Sequence, residues 1–225
     1  MNHISSFFNY IKESAEELYG LFRKNCRNGG EDRLKLNEDI IEKVINTPLP
    51  FTSNEYYNFV DKYLPSGADE DLYVDGSDSF REIATEYDDL KYLNYIKTYI
   101  TNPILCDMGC GIGNILHFCN KMGYKTFGYE FNKSLSKIHK KVGVDVIYGD
   151  FFTTDLSKLK TCDVVFLYRP ISSVASMNKL FKLIRSNTKD NVIIVYKYPH
   201  QMRITGFTTI SLNEWDDDLI ILFKK

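Results

Sequence analysis

The feature that most constrains this chain is a change of pattern at Ile104. From there, short apolar runs alternate with helix-length stretches. Runs over 104–107, 125–130, 144–148, 163–168 and 192–196 read as strands; stretches up to 121 and over 134–141 and 173–185 read as helices. Short, mainly apolar runs of this kind are what strands buried on both faces require. The order β-α-β-α-β-β-α-β predicts a parallel sheet covered by helices on both faces. After Tyr198 the alternation stops, and runs over 207–212 and 219–223, joined by Asp216, Asp217 and Asp218, predict a terminal antiparallel hairpin.

Upstream of this pattern the chain reads as helical. Ile4, Phe7, Phe8, Ile11, Ala15, Leu18, Tyr19 and Phe22 recur at helical spacing. The opposite face carries Glu13, Glu16 and Glu17, so packing within the protein is expected rather than binding to anionic lipid. A polar hinge with Gly29-Gly30 follows, then a short helix over 38–45 that Pro48 and Pro50 terminate. Residues 51–64 read as an aromatic-rich helix, and 65–78 as an irregular acidic loop. Ser79 and Glu82 have capping-box spacing, so a further helix is expected to start there and lead into the first strand.

Composition narrows the classes of function. The 225 residues suit one α/β domain plus a lobe. The formal net charge of −2 exerts no global pull on nucleic acid or anionic membrane, although a local basic patch is compatible with it. The five cysteines include no C-x-x-C pair, and the four histidines are scattered, so no metal site is expected. No apolar segment reaches the length of a signal peptide or a membrane span, and a reducing, cytoplasmic setting is expected.

The chemistry concentrates in Asp107-Met-Gly109-Cys110-Gly111-Ile-Gly113-Asn114, which closes the first apolar strand and opens a helix. Glycines let the backbone turn tightly against a ligand, and the helix beyond offers unpaired N–H groups. The dinucleotide fingerprint G-x-G-x-x-G fails here: its third glycine would be Asn114 or Leu116. The phosphate-loop pattern is absent as well. Asp107 suits an amine-bearing ligand better than a phosphate. Glu130 ends the second strand, where a carboxylate can accept from two ribose hydroxyls. Asp150 ends the third and can accept from an adenine amino group, with Phe151 against the base.

Taken together, the stretch from Ile104 onward resembles a class I methyltransferase dependent on S-adenosyl-L-methionine (SAM). Asp107, Gly109, Gly111 and Gly113 match that family's first motif, Glu130 its ribose-binding acid, and Gly149-Asp150-Phe151 its adenine motif. The resemblance implies a Rossmann-like, seven-stranded, mostly parallel α/β sheet with a terminal antiparallel hairpin. It implies SAM as cofactor, held by Asp107, Gly109, Cys110, Gly111, Gly113, Glu130, Asp150 and Phe151, with the first-motif backbone on the methionine part. The fourth strand ends in Tyr168-Arg169-Pro170, where the family often positions its acceptor. Tyr168 is therefore the candidate catalytic residue. The family's [N/D]-P-P-[Y/F] sequence of amide and exocyclic-amine methylation is missing, which withdraws support for those acceptors.

The expected organisation is an N-terminal helical extension, 1–78, capping the substrate side, and a SAM-binding domain, 79–225. The expected reaction is methyl transfer to a small molecule or a protein side chain. Two other readings stay open at this point: a non-catalytic SAM-binding or protein-interaction module, and a nicotinamide-dependent oxidoreductase on a degenerate Rossmann fold.

Overall fold

The computed structural model describes residues 17–24, 26–28, 33–64, 85–200, 204–211 and 219–224. Its centre is a nine-stranded sheet. In chain order the elements are α1 (17–24), β1 (Cys26–Asn28), β2 (Arg33–Leu36), α2 (Glu38–Ile45), α3 (Ser53–Tyr63), α4 (Asp89–Lys97) and β3 (Ile104–Met108). Then follow α5 (Asn114–Lys121), β4 (Lys125–Glu130), α6 (Ser136–Val142), β5 (Val146–Tyr148), β6 (Val164–Tyr168), α7 (Val174–Asn187), β7 (Ile193–Lys197), β8 (Phe207–Ser211) and β9 (Leu219–Lys224).

The sheet order is β1-β2-β8-β9-β7-β6-β3-β4-β5. Strands β3 to β7 are mutually parallel, while β9 lies antiparallel between β7 and β8. Strands β3 to β9 are the expected seven strands with their terminal hairpin, and β1 and β2 extend the sheet to nine. From β3 the chain winds outward through β4 and β5, then returns to β3's other side with β6 and β7. The crevice beyond the carboxyl ends of β3 and β6 is thus a topological switch point, where open α/β sheets bind ligands.

Side-chain alternation divides the core in two. Leu105, Val164, Phe166, Val195 and Ile221 face α1 to α5, while Cys106, Val165, Leu167, Ile194 and Tyr196 face α7. The N-terminal helices therefore share a core with the sheet: Leu18, Phe22, Val44 and Tyr56 are fully or almost fully buried in the first layer. Each such side chain contributes about 1.5–3 kcal/mol by leaving water.

Two upstream expectations change. The polar hinge around Gly29-Gly30 lies between two short strands, β1 and β2, which pair with each other and add to the sheet through β8. Neither strand has a marked apolar alternation; edge pairing rests on backbone hydrogen bonds, which periodicity does not report. The capping pair Ser79 and Glu82 lies outside the described residues, and Tyr87 and Asp88 form a turn that precedes helix α4. The Glu86 N–H donates to the Asp89 carboxylate (3.3 Å), fixing that turn at the start of α4. Helix α3 does carry a complete capping box: Thr52 and Glu55 each accept from the other's backbone N–H. No described helix is long and apolar enough to cross a membrane.

Candidate active site at the carboxyl edge of the sheet

Strand β3 ends in a turn whose three glycines all take left-handed backbone conformations: Gly109 (φ 87°), Gly111 (φ 49°) and Gly113 (φ 81°). The N–H groups of Gly109 and Cys110 both donate to the Tyr129 carbonyl (2.8 and 3.1 Å), binding the turn to β4. A Cβ on Gly109 would lie 2.9 Å from the Pro170 Cβ, so the turn also packs closely on the segment after β6. Gly113 caps α5 without a side chain, so no side-chain cap takes up the first N–H groups of that helix. Cys110 takes part through its backbone only; its thiol is turned into the core against Gly128, and burial pushes it up.

Glu130, at the end of β4, joins this turn directly. Its Oε2 accepts from the Gly111 N–H (2.8 Å) and its Oε1 from the Asn132 N–H (2.8 Å). Two residues 19 positions apart in sequence are thereby held as one unit. A carboxylate oxygen can accept from more than one donor, so this anchoring is compatible with a ligand hydroxyl on the same acid. On the other side of Gly111, its carbonyl faces His139 Nε2 at 2.6 Å, while His139 Nδ1 lies 2.6 Å from the Tyr148 hydroxyl. A carbonyl can only accept, so the neutral ring carries its proton on Nε2 and accepts from Tyr148 on Nδ1. Burial pulls the imidazole below its usual value, against the Gly111 carbonyl, which raises it.

Asp107 is 2% exposed, and its Oδ1 has no hydrogen-bond partner among the described residues. Burial, with the Glu130 charge second, holds its carboxyl well above the usual carboxylate range. A buried acceptor without a donor costs about 1–3 kcal/mol. The site is therefore incomplete in a way that a cationic or hydrogen-donating group would satisfy.

The third acid lies differently. Asp150 Oδ1 accepts from the Phe152 N–H (2.9 Å), and the Asp150 carbonyl accepts from Thr154, so the residue organises the turn after β5. Phe151 is 9% exposed and packs in the α7-side core beneath the glycine turn, near Gly109.

A second cluster lies beyond the carboxyl ends of β6 and β7. Tyr168 and Lys197 are paired across these strands, and the residue after each, Arg169 (φ 37°) and Tyr198 (φ 48°), takes a left-handed conformation. Such strain costs on the order of 1–3 kcal/mol per residue and collects where function over-determines the backbone. The Tyr168 and Tyr198 rings lie 5.3 Å apart.

Residues 79–220 match the family described as a methyltransferase domain. The chain belongs to that family. It is a class I SAM-dependent methyltransferase, and SAM is its cofactor. No curated protein matches it in sequence. Similar solved structures include an RNA methyltransferase from Salinibacter ruber in complex with S-adenosyl-L-homocysteine (20% identity, TM-score 0.49, covering 63% of this chain and 93% of that one). Precorrin-6y C5,15-methyltransferase from Geobacter metallireducens has 14% identity and a TM-score of 0.46, covering 67% and 94%. A SAM-dependent methyltransferase from Archaeoglobus fulgidus has 20% identity and a TM-score of 0.42, covering 65% and 59%.

The methyltransferase also places residues at this edge that its sequence did not single out. Lys197 is buried and pairs with Asp89 (3.1 Å), while Tyr198 donates to Glu86 (3.0 Å). The Tyr56 hydroxyl, from α3, donates to the Thr85 carbonyl and accepts from Asn114 Nδ2 (2.9 Å) at the head of α5. Phe131, directly after Glu130, is 58% exposed and presents an apolar ring beside the acid. An aromatic after a strand-terminal acid was the one legible signal among these. Contacts between 85–89 and β7 come from distant parts of the chain, and no local pattern announces them.

Proposed function

We propose that the SAM methyl group passes to a small molecule or a protein side chain held beside Tyr168. The Asp107 carboxylate and the backbone of Gly109, Cys110, Gly111 and Gly113 take the methionine part, with the unpartnered Asp107 Oδ1 suited to its α-ammonium. Glu130 accepts from the ribose hydroxyls. Asp150 receives the adenine amino group at its remaining lone pairs, and Phe151 supports that side from within the core. Exposed Phe131 offers a second apolar surface for the base. The observation that carries this reading is the Glu130–Gly111 hydrogen bond, which ties the first motif and the ribose acid into one preorganised cradle.

The cofactor supplies an electrophilic methyl on a sulfonium. The protein's part is to align a nucleophile behind that methyl and keep water out, and alignment alone accounts for a large share of such rate enhancements. Tyr168 either orients the acceptor through its hydroxyl or lays its ring by the sulfonium. We treat 1–78 as an extension that helps to cap the acceptor side and 79–225 as the SAM-binding domain; Tyr56 reaching Asn114 supports the first assignment. A cytoplasmic location fits four described free thiols, Cys106, Cys110, Cys119 and Cys162.

Calorimetric titration of SAM and NADH into the wild type and Glu130→Ala tests the cradle. Saturable SAM binding that weakens at least about tenfold in the variant, with none for NADH, supports it; a tenfold change corresponds to ~1.4 kcal/mol. Unchanged SAM affinity in Glu130→Ala overturns the assignment.

A further inference from the structure

Away from the cofactor turn, α3, α5 and the last turn of α6 enclose an open groove of about 390 Å³. Three lysines line it, one from each helix: Lys62, Lys121 and Lys141. The single acid in the lining, Glu55, already accepts from the Thr52 N–H and pairs loosely with Lys121 (3.5 Å). Lys62 and Lys141 have no carboxylate partner among the described residues. Their ammonium groups instead sit 5.3 and 5.7 Å from one ring, that of Tyr63. Two like charges converging on one aromatic ring, without a carboxylate partner among the described residues, form a site that an anion would neutralise. Beside them Phe59 and His117 stack face to face (4.7 Å, 18°). Burial and the Lys121 charge hold His117 below its usual value, so the ring is neutral and stacks as an aromatic.

The charge continues beyond the groove. Residues 131–144 contain four lysines, all exposed, and no Asp or Glu. They lie on and just before α6, which runs from the cofactor side of the sheet, after Glu130, toward the groove. In a chain of net charge −2, this is a marked local excess of positive charge.

We propose that this groove binds single-stranded nucleic acid, with phosphates on Lys62, Lys121 and Lys141 and a base against the Phe59, His117 or Tyr63 ring. Lysines tracking a backbone, interleaved with rings that stack on bases, are the two components of sequence-tolerant single-strand binding. The groove includes none of the cofactor residues, so docking there is separable from SAM binding. The α6 lysines then lead the bound strand toward the cofactor side.

The test is fluorescence anisotropy of the full chain with a labelled single-stranded RNA, and in parallel a DNA, of about 20 nucleotides. Binding of either strand is expected, with log affinity falling against log salt at a slope of about −2 for three neutralised phosphates. The double variant Lys62→Gln/Lys141→Gln removes two exposed charges, and its intact SAM titration reports that it is folded. Its slope should fall to about −0.7 and its affinity at low salt by at least about tenfold. No binding at low salt by protein that still binds SAM overturns the proposal. So does binding unaltered in the double variant, or equal competition by poly-glutamate, which would mark the groove as a surface for acidic protein segments.

Discussion

Lys197 and Asp89 form an ion pair across 108 residues of sequence, Nζ to Oδ1 3.1 Å, with both side chains at most 8% exposed. It fastens the start of α4 to the carboxyl end of β7, next to the strained Tyr198 and the proposed acceptor side. Removing Lys197 leaves the buried Asp89 carboxyl without its cation, and removing Asp89 leaves Lys197 only the longer contact to the exposed Glu86 carboxylate (3.9 Å). Lys197→Met and Asp89→Leu should each lower stability by about 3–5 kcal/mol. The double variant should recover most of that loss, and urea denaturation of the four proteins measures the coupling. Additive losses would show that the pair does not act as a unit.

The same pair predicts a pH dependence. Burial raises the Asp89 carboxyl from 3.8 to about 6, outweighing the Lys197 ammonium, which lowers it. Between these values the folded protein binds more protons than the unfolded chain. The Asp89 contribution is therefore full below 3.8 and is lost as pH rises through about 6. Wild type should lose stability relative to Asp89→Leu/Lys197→Met as pH is raised over that window, read from denaturation midpoints at a series of pH values.

Asp107 should show stability and function pulling apart. Its carboxyl is buried, held above its usual range, and lacks a donor for Oδ1. Asp107→Asn cannot ionise, so the stability that wild type loses as pH rises above the usual carboxylate range should be retained, and the ligand-free variant should melt at a higher temperature at neutral pH. SAM affinity should fall at least about tenfold, ~1.4 kcal/mol, by calorimetry. Unchanged SAM binding would show that this carboxylate does not meet the cofactor.

His139 supports the Gly111 carbonyl from inside the fold. Because burial depresses its folded value, the ring contributes stability above 6.5 that is lost as pH falls below it. His139→Phe should remove that acid-side loss. It should also weaken SAM, by loosening Gly111, without touching Glu130.

Glycine substitutions distinguish strain from contact. Gly143 (φ 78°) has nothing within 4 Å of an added Cβ, so Gly143→Ala should cost only about 1–2 kcal/mol and leave SAM affinity unchanged. Gly109→Ala adds a 2.9 Å collision with Pro170 and should abolish SAM binding while the far-ultraviolet spectrum is retained. Calorimetry and circular dichroism on the two variants decide this.

The parallel sheet was legible because β3, β6 and β7 are largely buried on both faces and read as short apolar runs, while the mixed β4 and the half-buried β5 fall into the same alternation with helices. The arrangement of turn and acid was legible because Asp107, the three glycines and Glu130 lie at the ends of adjacent strands. What stayed hidden depends on contacts between remote segments: the β1–β2 ribbon, held by backbone pairing; the Lys197–Asp89 bond; and the Tyr56–Asn114 link from α3. Cys110 and Phe151 show the converse. Motif position named them, but Cys110 turns its side chain, and Phe151 its ring, into the core.

The placement of β9 between β7 and β8 governs how the protein can be made. During synthesis β3 to β7 can assemble as they emerge, but β8 has no neighbour in that sheet until β9 has been translated and released from the ribosomal tunnel. The β1–β2 ribbon precedes β3 to β7 in the chain, yet it joins the sheet only through β8. It therefore keeps an unpaired edge while the parallel strands are made. Closure of the sheet follows translation of β9, and until then the ribbon's open edge is the part a chaperone would shield.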